Sequence, residues 1–542
     1  MENEEYIESG LSVGAVKYVD PNEIITEEEY NYIKNKVPEL NGRVGTIEGE
    51  IEEINSSLDN IATQTSELIF DSNRKYLLKK DTYTISDSNK IKIDNKSNII
   101  IDFNFATLTQ SEQDINIIEI SNCSNIVIKN LIIRGIKGTL IGINGFNKGI
   151  TIANSNNIVI ENSDIQNMWN NGVYTYNVNG FKLIKSTIKN IGDRNTSLNN
   201  PYNTVNFVPG SFSCVYLHST NVARSKNIIV ENNTIGGCLN TIVSCVASDN
   251  TIIRNNYIID GDSNGIQVGT SISSCIIENN IIDGATGFYD VTTEGYGISI
   301  HSNGDGSIIR NNIIRNYKRA AISTKATNDC LIESNIIDNC TQAKNFNNIT
   351  FWGDNVKCVN NVIYNCEFTP ISCSGTNCTI EGNIIERKEG NTSVLTGIYF
   401  GTSYNENADN CTIKNNKSKT VGLVISVMKN CYIEDNRGFS LYGNNFNGVV
   451  CNQYINSHIK DGYSIRLLGD EYIAKFINVN RQSTLQNNGA GIVYNDLKRE
   501  LSSSPLNNVK PNFLGEEILD TSTKIWWKSV GFNNWDWKAL NS

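Results

Sequence analysis

The chain is poor in proline, has no long hydrophobic run and lacks an excess of positive charge. Only 7 of its 542 residues are proline, against 41 glycines, which together with abundant Asn and Ile is typical of tightly turned β-structure, not of a disordered linker. No stretch of about 18 apolar residues occurs, so no membrane insertion is expected. The net charge of −11 argues against a nucleic-acid partner. The acidic start, MENEEYIESG, has no apolar core and does not resemble a signal peptide.

Cysteine is present, but its spacing does not suggest disulfides. Several cysteines share one position of a repeat in which other copies hold Ile158, Ile228 or Val356: Cys275, Cys330, Cys378, Cys411 and Cys431. Small apolar side chains stacked inside a coil explain this pattern. We therefore expect free buried thiols, no metal site, and folding in a reducing cytosol.

An asparagine recurs behind the same short motif, as in VENNTI, IRNNYI and IENNII. The gaps between successive copies are 20–33 residues, the period of a solenoid. The repeat contains short β-rich strings and no helical periodicity, which predicts an all-β, parallel β-helix. We expect the recurring amide to point into the coil and bond both its own turn and the next copy. The copies are Asn233, Asn256, Asn280, Asn312, Asn335, Asn361, Asn383, Asn416 and Asn436.

The third strand of each coil follows a Gly-Ile-x-Ile pattern, as at Gly265-Ile-Gln-Val and Gly297-Ile-Ser-Ile. Alternation buries the second and fourth residues and turns the third and fifth outward. Insertions at 134–148, 192–213, 284–296 and 387–396 all precede this strand and should wall a groove beside it. The predicted outward residues are Tyr174, Tyr176, Tyr216, His218, Gln267, Ser299, His301, Ser323, Lys325, Thr350, Trp352 and Tyr399.

The two ends of the chain differ from the repeat. Apolar residues from Val37 to Ile61 alternate at spacings of 3 and 4, a heptad seam whose β-branched residues favour a trimer; a single amphipathic helix packed on its own chain is the alternative. Four of the six tryptophans lie between Trp526 and Trp537. We expect an anchoring arm (1–26), a helical coiled coil (27–66), the β-helix (67–440), a β-rich end cap (441–509) and a Trp-rich module (510–542).

These features resemble phage tailspike and tail-fibre proteins of the pectate-lyase-like, right-handed parallel β-helix superfamily. The residues that carry the resemblance are the coils from Asn233 to Asn436, the Gly-Ile-x-Ile strands, the preceding heptads, and the terminal string around Asn534-Trp-Asp-Trp. The resemblance implies a homotrimer in the virion tail, attached to baseplate or tail proteins through its N-terminal arm. It also implies assembly in the bacterial cytoplasm and recognition, often depolymerisation, of a bacterial surface polysaccharide outside it.

Glycan sites need aromatic platforms for sugar faces and polar groups for hydroxyls. The candidate substrate-binding residues are Trp352, Tyr174, Tyr176, Tyr216, His218, Tyr399 and Gln267. The alternative is that these side chains cover inserted loops or meet a neighbouring subunit.

Glycosidic hydrolysis requires two carboxylates, and Asp290, Glu294 and Asp305 are the candidates, beside His301 and Lys325. Elimination from a uronic acid would instead need a base and a cation, for which Lys325 and His301 could serve, with Arg319 or Arg224 nearby. Each acid is more simply explained as a solvated loop carboxylate.

A Ca²⁺ site would show a compact acidic cluster. Asp260, Asp262 and Asp354 are weak evidence for one, so no cofactor is expected. Three functions follow: a polysaccharide-cleaving spike, a receptor-binding fibre without enzymatic activity, and a structural virion fibre.

Overall fold

The computed structural model shows a parallel β-helix. It describes residues 63–65, 68–112, 115–136, 147–192, 212–220, 223–238, 240–261, 263–269, 274–284, 295–301, 304–340, 347–390, 396–400, 410–419, 423–426, 431–434, 436, 439–442, 451–455, 458–459, 466–467, 474–477, 480–481, 486–487, 493–495, 498–511, 517–531 and 533–540. Most coils contribute one strand to each of three parallel sheets, A, B and C in chain order. No helix among these residues is long and apolar enough to span a membrane.

Sheet A has 18 strands. They are Thr63–Thr65, Arg74–Leu78, Ser97–Asp102, Ser124–Lys129, Asn156–Glu161, Asn179–Ile184, Ser225–Glu231, Ser248–Arg254, Cys275–Glu278, Ile308–Arg310, Leu331–Glu333, Lys357–Val359, Thr379–Glu381, Thr412–Lys414, Cys431–Glu434, Cys451–Ile455, Ala474–Ile477 and Val493–Asn495.

Sheet B has 13 strands. They are Thr82–Ile85, Thr107–Gln110, Ile132–Arg134, Asp164–Gln166, Thr187–Ile191, Thr234–Cys238, Tyr257–Ile259, Ile281–Asp283, Ile313–Arg315, Ile336–Asp338, Val362–Cys366, Ile384–Arg387 and Lys417–Ser418.

Sheet C has 14 strands. They are Ile91–Asp94, Ile118–Ser121, Lys148–Ala153, Asn171–Tyr176, Val215–His218, Val243–Cys245, Ile266–Val268, Ile298–His301, Ile322–Lys325, Ile349–Trp352, Ile371–Cys373, Thr396–Phe400, Leu423–Ser426 and Phe439–Tyr442. The four long insertions all fall in connections from sheet B to sheet C, as the repeat alignment predicts.

The predicted asparagine ladder runs along the turn between sheets A and B, and it is confirmed. Asn312 is typical: its Nδ2 donates to the Ile277 carbonyl at 2.9 Å and to Asn335 Oδ1 at 3.0 Å. Its own Oδ1 accepts from the backbone N and Nδ2 of Asn280, both at 3.0 Å. The ladder side chains are buried, so each amide satisfies polar groups that the turn would otherwise leave unpaired in the core.

Two other repeated residues, the asparagine before the ladder position and the glycine that begins the third strand, recur because of backbone conformation and close packing. The residue before a ladder asparagine adopts a left-handed conformation, with φ of 57° at Asn232 and 55° at Asn255, which asparagine tolerates better than most residues. The glycine of the Gly-Ile-x-Ile motif faces a crowded core, because a Cβ on Gly297 would lie 2.4 Å from Cγ2 of Ile314. Packing of the coil therefore requires glycine there.

Two predicted boundaries need correction. Thr63–Thr65 falls within the predicted coiled coil but forms a strand that pairs with Arg74–Leu78; the preceding heptads lie outside the described residues. The β-helix also continues past residue 440, since Cys451–Ile455, Ala474–Ile477 and Val493–Asn495 extend sheet A. Short parallel pairs accompany them: His458–Ile459 with Asn480–Arg481, and Arg466–Leu467 with Gln486–Asn487.

A separate four-stranded sheet contains the Trp-rich module. Lys498–Leu501 pairs in parallel with Glu517–Asp520, followed by antiparallel Ile525–Ser529 and Trp537–Ala539. The module therefore takes its first strand from the segment predicted as end cap. Trp537 is buried and its Nε1 donates to the Val509 carbonyl at 2.6 Å, whereas Trp535 is 62% exposed.

Replacing Asn312 with alanine should strongly destabilise the β-helix. The change leaves Asn280 without its acceptor and the Ile277 carbonyl without its donor, and each buried unsatisfied group costs about 1–3 kcal/mol. Thermal and urea unfolding measure the loss. Asn311→Gly is the matched control, because Asn311 is exposed with φ of 55° and glycine adopts that conformation readily. Equal stability of the two variants would contradict a structural role for the ladder.

Candidate functional site

The outward positions of sheet C bring together most of the predicted site residues. Val173, Val215 and Leu217 belong to the hydrophobic core, whereas the intervening Tyr174 and Tyr216 do not, as strand alternation requires. Parallel register places Tyr174 beside Tyr216 and Tyr176 beside His218. We call the outward side chains of the strands between Lys148 and Trp352 the sheet C stripe.

One end of the stripe is a cluster of Lys148, Tyr174, Tyr176, Tyr216 and His218, the tyrosine cluster. The Tyr216 and His218 rings stack with centroids 5.2 Å apart, and the Tyr174 ring lies 5.6 Å from Tyr216 in an edge-on arrangement. Nζ of Lys148 lies 4.0 Å from the Tyr174 ring centroid. The cluster thus offers aromatic surface, hydroxyls, an imidazole and a cation in one place.

Tyr216 is less accessible than the sequence suggests, with 7% of its surface exposed. Its neighbours cover it: the rings of Tyr174 and His218 pack against it from the adjoining strands and from its own strand. Burial raises the pKa of the Tyr216 and Tyr174 hydroxyls, which therefore remain protonated donors at neutral pH. Tyr176, Tyr174 and His218 are half-buried and supply the accessible surface of the cluster.

The other end of the stripe is a cluster of Tyr296, His301, Arg319, Lys325 and Trp352, the Lys325 cluster. His301, Lys325 and Trp352 occupy the same position of three successive strands, as predicted. Nζ of Lys325 lies 5.2 Å from the Trp352 ring and 6.0 Å from the Tyr296 ring. Arg319 Nη1 donates to the Tyr296 hydroxyl at 3.4 Å. Two cations therefore share one aromatic platform.

Hydroxyl groups form the floor of the Lys325 cluster. Ser299 Oγ lies 2.8 Å from Nε2 of His301, and Ser323 follows Ser299 in register. Both serines were predicted to face outward, yet both are fully buried beneath their neighbours. Ser323 Oγ has no hydrogen-bond partner among the described residues, so the cluster holds a buried polar group with unused bonding capacity.

The histidines of both clusters are held in the neutral form. Burial and then Lys148 lower the pKa of His218, while burial and then Lys325 lower the pKa of His301. Burial also lowers the pKa of Lys148. Neutral imidazoles accept as well as donate hydrogen bonds, which suits contact with sugar hydroxyls and leaves His301 able to accept a proton.

Gln267 lies between the clusters, and its Oε1 accepts from the Thr241 hydroxyl at 3.2 Å. The His301 strand is three strand spacings from the His218 strand, roughly 14 Å at about 4.8 Å per spacing. Tyr399 lies on the same sheet, half-buried, three strands beyond the Lys325 strand. It is therefore not part of the Lys325 cluster.

The predicted carboxylates do not converge on the stripe within the described residues. Asp305 is exposed in the turn after the His301 strand, where Oδ1 accepts from the Asn328 backbone at 2.7 Å. Asp290 and Glu294 lie outside the described residues. Among the described residues, no carboxylate forms an ion pair with Lys325 or a hydrogen bond with His301. Asp305 thus stabilises this turn, and its catalytic role stays a prediction.

Other candidates have structural roles. Arg224 forms an ion pair with Asp249 through two nitrogens, one at 2.9 Å, which places it in a salt bridge and not in the site. Asp354 Oδ1 accepts from the backbone and hydroxyl of Thr376, both at 2.7 Å, and so stabilises a turn. Asp262, the third residue considered for a Ca²⁺ site, lies outside the described residues.

The cysteines whose side chains are described are buried with free thiols, as predicted. The sulfurs of Cys373, Cys378 and Cys411 lie within 4.8 Å of one another. Cys378 and Cys411 lie 3.3 Å and 3.5 Å from the carbonyls of Gly353 and Gly375. Burial raises the pKa of the Cys373 thiol. Thiols that bond backbone carbonyls are typical of core packing.

Sequence reasoning missed Lys148 and Tyr296. Both stand two residues before the first core isoleucine of their strands, Ile150 and Ile298, at the junction where a sheet B to sheet C insertion ends. The alternation rule does not extend to this junction. The shared Lys/Tyr-Gly-Ile string was the one available signal, and the side-chain contacts of Lys148 with Tyr174 and of Tyr296 with Lys325 place both residues in the clusters.

Comparison with known proteins supports the fold. Residues 148–337, which include most of the stripe, match the family model for a right handed beta helix region. A comparison with curated protein sequences found no match. Solved structures with a similar fold include the A-module of mannuronan C-5 epimerase AlgE6 from Azotobacter vinelandii (12% identity, 74% of this chain, 91% of that chain, TM-score 0.40).

Two further structures cover other kinds of protein. One is the Dettilon tailspike protein (13% identity, 66% of this chain, 62% of that chain, TM-score 0.34). The other is PfbA, a surface adhesin of Streptococcus pneumoniae (14% identity, 70% of this chain, 87% of that chain, TM-score 0.35). These likenesses concern the right-handed parallel β-helix alone.

The histidine environments predict a loss of stability in mild acid. An unfolded histidine has a pKa of about 6.5, and both stripe histidines have lower pKa values when folded. Their contribution to stability is complete above about pH 6.5 and is lost as the pH falls through the folded pKa. Melting temperatures measured from pH 7.5 to 5.0 should therefore fall less in a His218→Gln/His301→Gln variant than in the wild type. Identical slopes, or a pKa above 6.5 for either imidazole, would overturn this prediction.

Proposed function

We propose that the sheet C stripe binds an extended polysaccharide and that the chain is the host-recognition part of a phage or prophage tailspike or fibre. The observation that carries the binding role is the pair of aromatic clusters on one sheet. Tyr174, Tyr176 and Trp352 are the half-exposed platforms; Lys148 and Lys325 lie against them. Aromatic faces with a few polar groups are what glycan sites require.

The sheet geometry also suits a chain-like ligand. Strands of sheet C lie side by side along the coil axis, so equivalent outward side chains recur at about 4.8 Å. A polymer laid along the axis would meet the tyrosine cluster, then Gln267, then the Lys325 cluster. A small molecule would reach only one of the clusters. The proposal includes a homotrimer, anchored to the virion tail by the N-terminal arm and acting on a bacterial surface polysaccharide.

Cleavage of the bound polymer is a second candidate, favoured by His301. Its lowered pKa leaves the imidazole free to accept a proton at neutral pH. Lys325 and Arg319 lie on the same platform, where cations would stabilise the negative charge that develops during elimination next to a carboxylate. Hydrolysis would instead require Asp290 and Glu294 to converge. His301, Lys325 and Arg319 thus supply the base and the cations that elimination requires.

Replacing Trp352 with alanine should weaken polysaccharide binding about tenfold, equivalent to about 1.4 kcal/mol, because the ring provides a sugar platform and positions Lys325. Tyr174→Ala should act similarly at the other cluster. Binding of the purified full-length protein to host envelope polysaccharide, measured by biolayer interferometry, tests both. Trp535→Ala is the matched control, since Trp535 is exposed on the C-terminal sheet. Unchanged binding in both stripe variants, with Trp535→Ala impaired, would place recognition on the C-terminal module.

Depolymerisation is tested by incubating the wild type with the same polysaccharide and following polymer size by size-exclusion chromatography. Shortening with a rise in unsaturated-uronate absorbance, abolished in His301→Gln while binding remains, is the result expected of elimination. Shortening without absorbance, lost instead in Asp290→Asn or Glu294→Gln, would assign hydrolysis. Tight binding of polymer that keeps its full length would leave a receptor-binding fibre without enzymatic activity.

A further inference from the structure

Several cations on sheets A and B have carboxylate partners one coil away. Arg254 pairs with Glu231 at 2.6 Å, Arg310 with Glu278 at 2.7 Å, and Arg315 with Asp283 at 2.8 Å. Lys414 likewise pairs with Glu381 at 3.0 Å. Parallel register places equivalent residues of successive coils side by side, where like charges would repel. Pairing each cation with a carboxylate avoids this repulsion.

Lys148 and Lys325 on sheet C differ from these cations. Neither forms a salt bridge with a carboxylate of the described residues, and both lie against aromatic rings: Lys148 over Tyr174, Lys325 over Trp352 and Tyr296. Glu119 acts electrostatically on Lys148, yet it lies 3.5 Å from Nζ of Lys90 and accepts from Asn116 Nδ2 at 3.0 Å. Among the described residues, no carboxylate forms an ion pair with either ammonium group.

We infer that the polymer bound by the stripe is a polyanionic glycan, with acidic groups that pair with Lys148 and Lys325. The inference rests on the proposed polysaccharide-binding function and specifies its ligand. Lys148 and Lys325 lie on strands six spacings apart, roughly 29 Å, so one chain must carry acidic groups along its length to meet both. Carboxylates and phosphodiesters have the required charge.

The surroundings of Lys325 fit an anion better than a neutral sugar. The Arg319 guanidinium lies 5.7 Å from the Tyr296 ring that Lys325 also faces, so two positive charges share one site. The buried Ser323 hydroxyl has no partner among the described residues and lies on the same strand. An anionic group beside Lys325 would form a charge-assisted hydrogen bond, which is stronger than a neutral one.

Because the protein has a net charge of −11, we expect a polyanion to bind only where cations are concentrated, at the stripe. Long-range repulsion opposes any polyanion, and salt screens it over about 10 Å at 0.1 M. Contacts within the stripe are short and partly buried, so salt weakens them less. Binding should therefore persist at physiological ionic strength, where the long-range repulsion is screened.

Polygalacturonate and its methyl ester give the sharpest test, because they share a backbone and differ in charge. We expect the full-length protein to bind polygalacturonate, or polyglycerol phosphate if phosphodiesters are the natural groups, at least tenfold more tightly than the methyl ester and dextran. Lys148→Gln and Lys325→Gln should each weaken that binding at least fivefold, and Lys325→Arg should largely retain it. Lys414→Gln, which removes a paired cation from sheet A, should have no effect.

The outcomes separate this inference from the proposed function. Equal binding of charged and neutral polymers, or lysine variants that bind polyanions like the wild type, overturns the polyanion assignment and leaves glycan binding intact. Binding to none of these polymers and to no glycan on an array of neutral, carboxylated and phosphodiester glycans overturns both. Melting temperatures of all variants are measured alongside, so that a loss of affinity in a variant with wild-type stability is attributed to the lost charge.

Discussion

The hydrogen-bonded ladder of asparagine amides is the constraint on which the other features depend. Each amide satisfies its own turn and the next coil, so a shift of register would leave buried donors and acceptors unpaired along the whole turn. Fixed register keeps residues at the same repeat position in line, which is why His301, Lys325 and Trp352 are direct neighbours. The Lys325 cluster is thus assembled from residues contributed by successive coils, and its precision comes from the ladder.

Fixed register also means that a charged residue lies beside the equivalent residue of the next coil, so charges must be balanced between successive coils. Like charges at one repeat position would repel at about 4.8 Å, and sheets A and B avoid this by alternation, as with Glu231 and Arg254 or Asp283 and Arg315. On sheet C the same problem has another solution, since aromatic rings take the place of acids beside Lys148 and Lys325. Cation–π contact stabilises an ammonium without neutralising it. The stripe therefore keeps its positive charge within an acidic protein.

Much of this architecture was predictable because the repeated residues are those that fill the interior of the coil and form its turns. The spacing of Asn233 to Asn436 predicted the ladder, and alternation after Gly297 predicted that His301, Lys325 and Trp352 would align. Burial of Tyr216 was not predictable, since it results from ring packing across strands that are 42 residues apart in sequence. Lys148 and Tyr296 escaped prediction because alternation does not extend to the ends of insertions. The continuation of sheet A beyond residue 440 was missed because the later coils lack the ladder asparagine.

The division of labour between ladder and stripe explains how one scaffold can carry different binding specificities. Packing inside the coil constrains residues such as Asn312 and Gly297. There, one added methyl group or one lost amide group decides whether the next coil can stack. Outward residues of sheet C have no such partner in the core, and the insertions that flank them enter at a junction outside the ladder. If the stripe binds the ligand as proposed, substitutions at Lys325 or Trp352 change recognition while the coil beneath them retains its hydrogen bonds. A β-helix of this kind can change what it recognises at little cost to its stability.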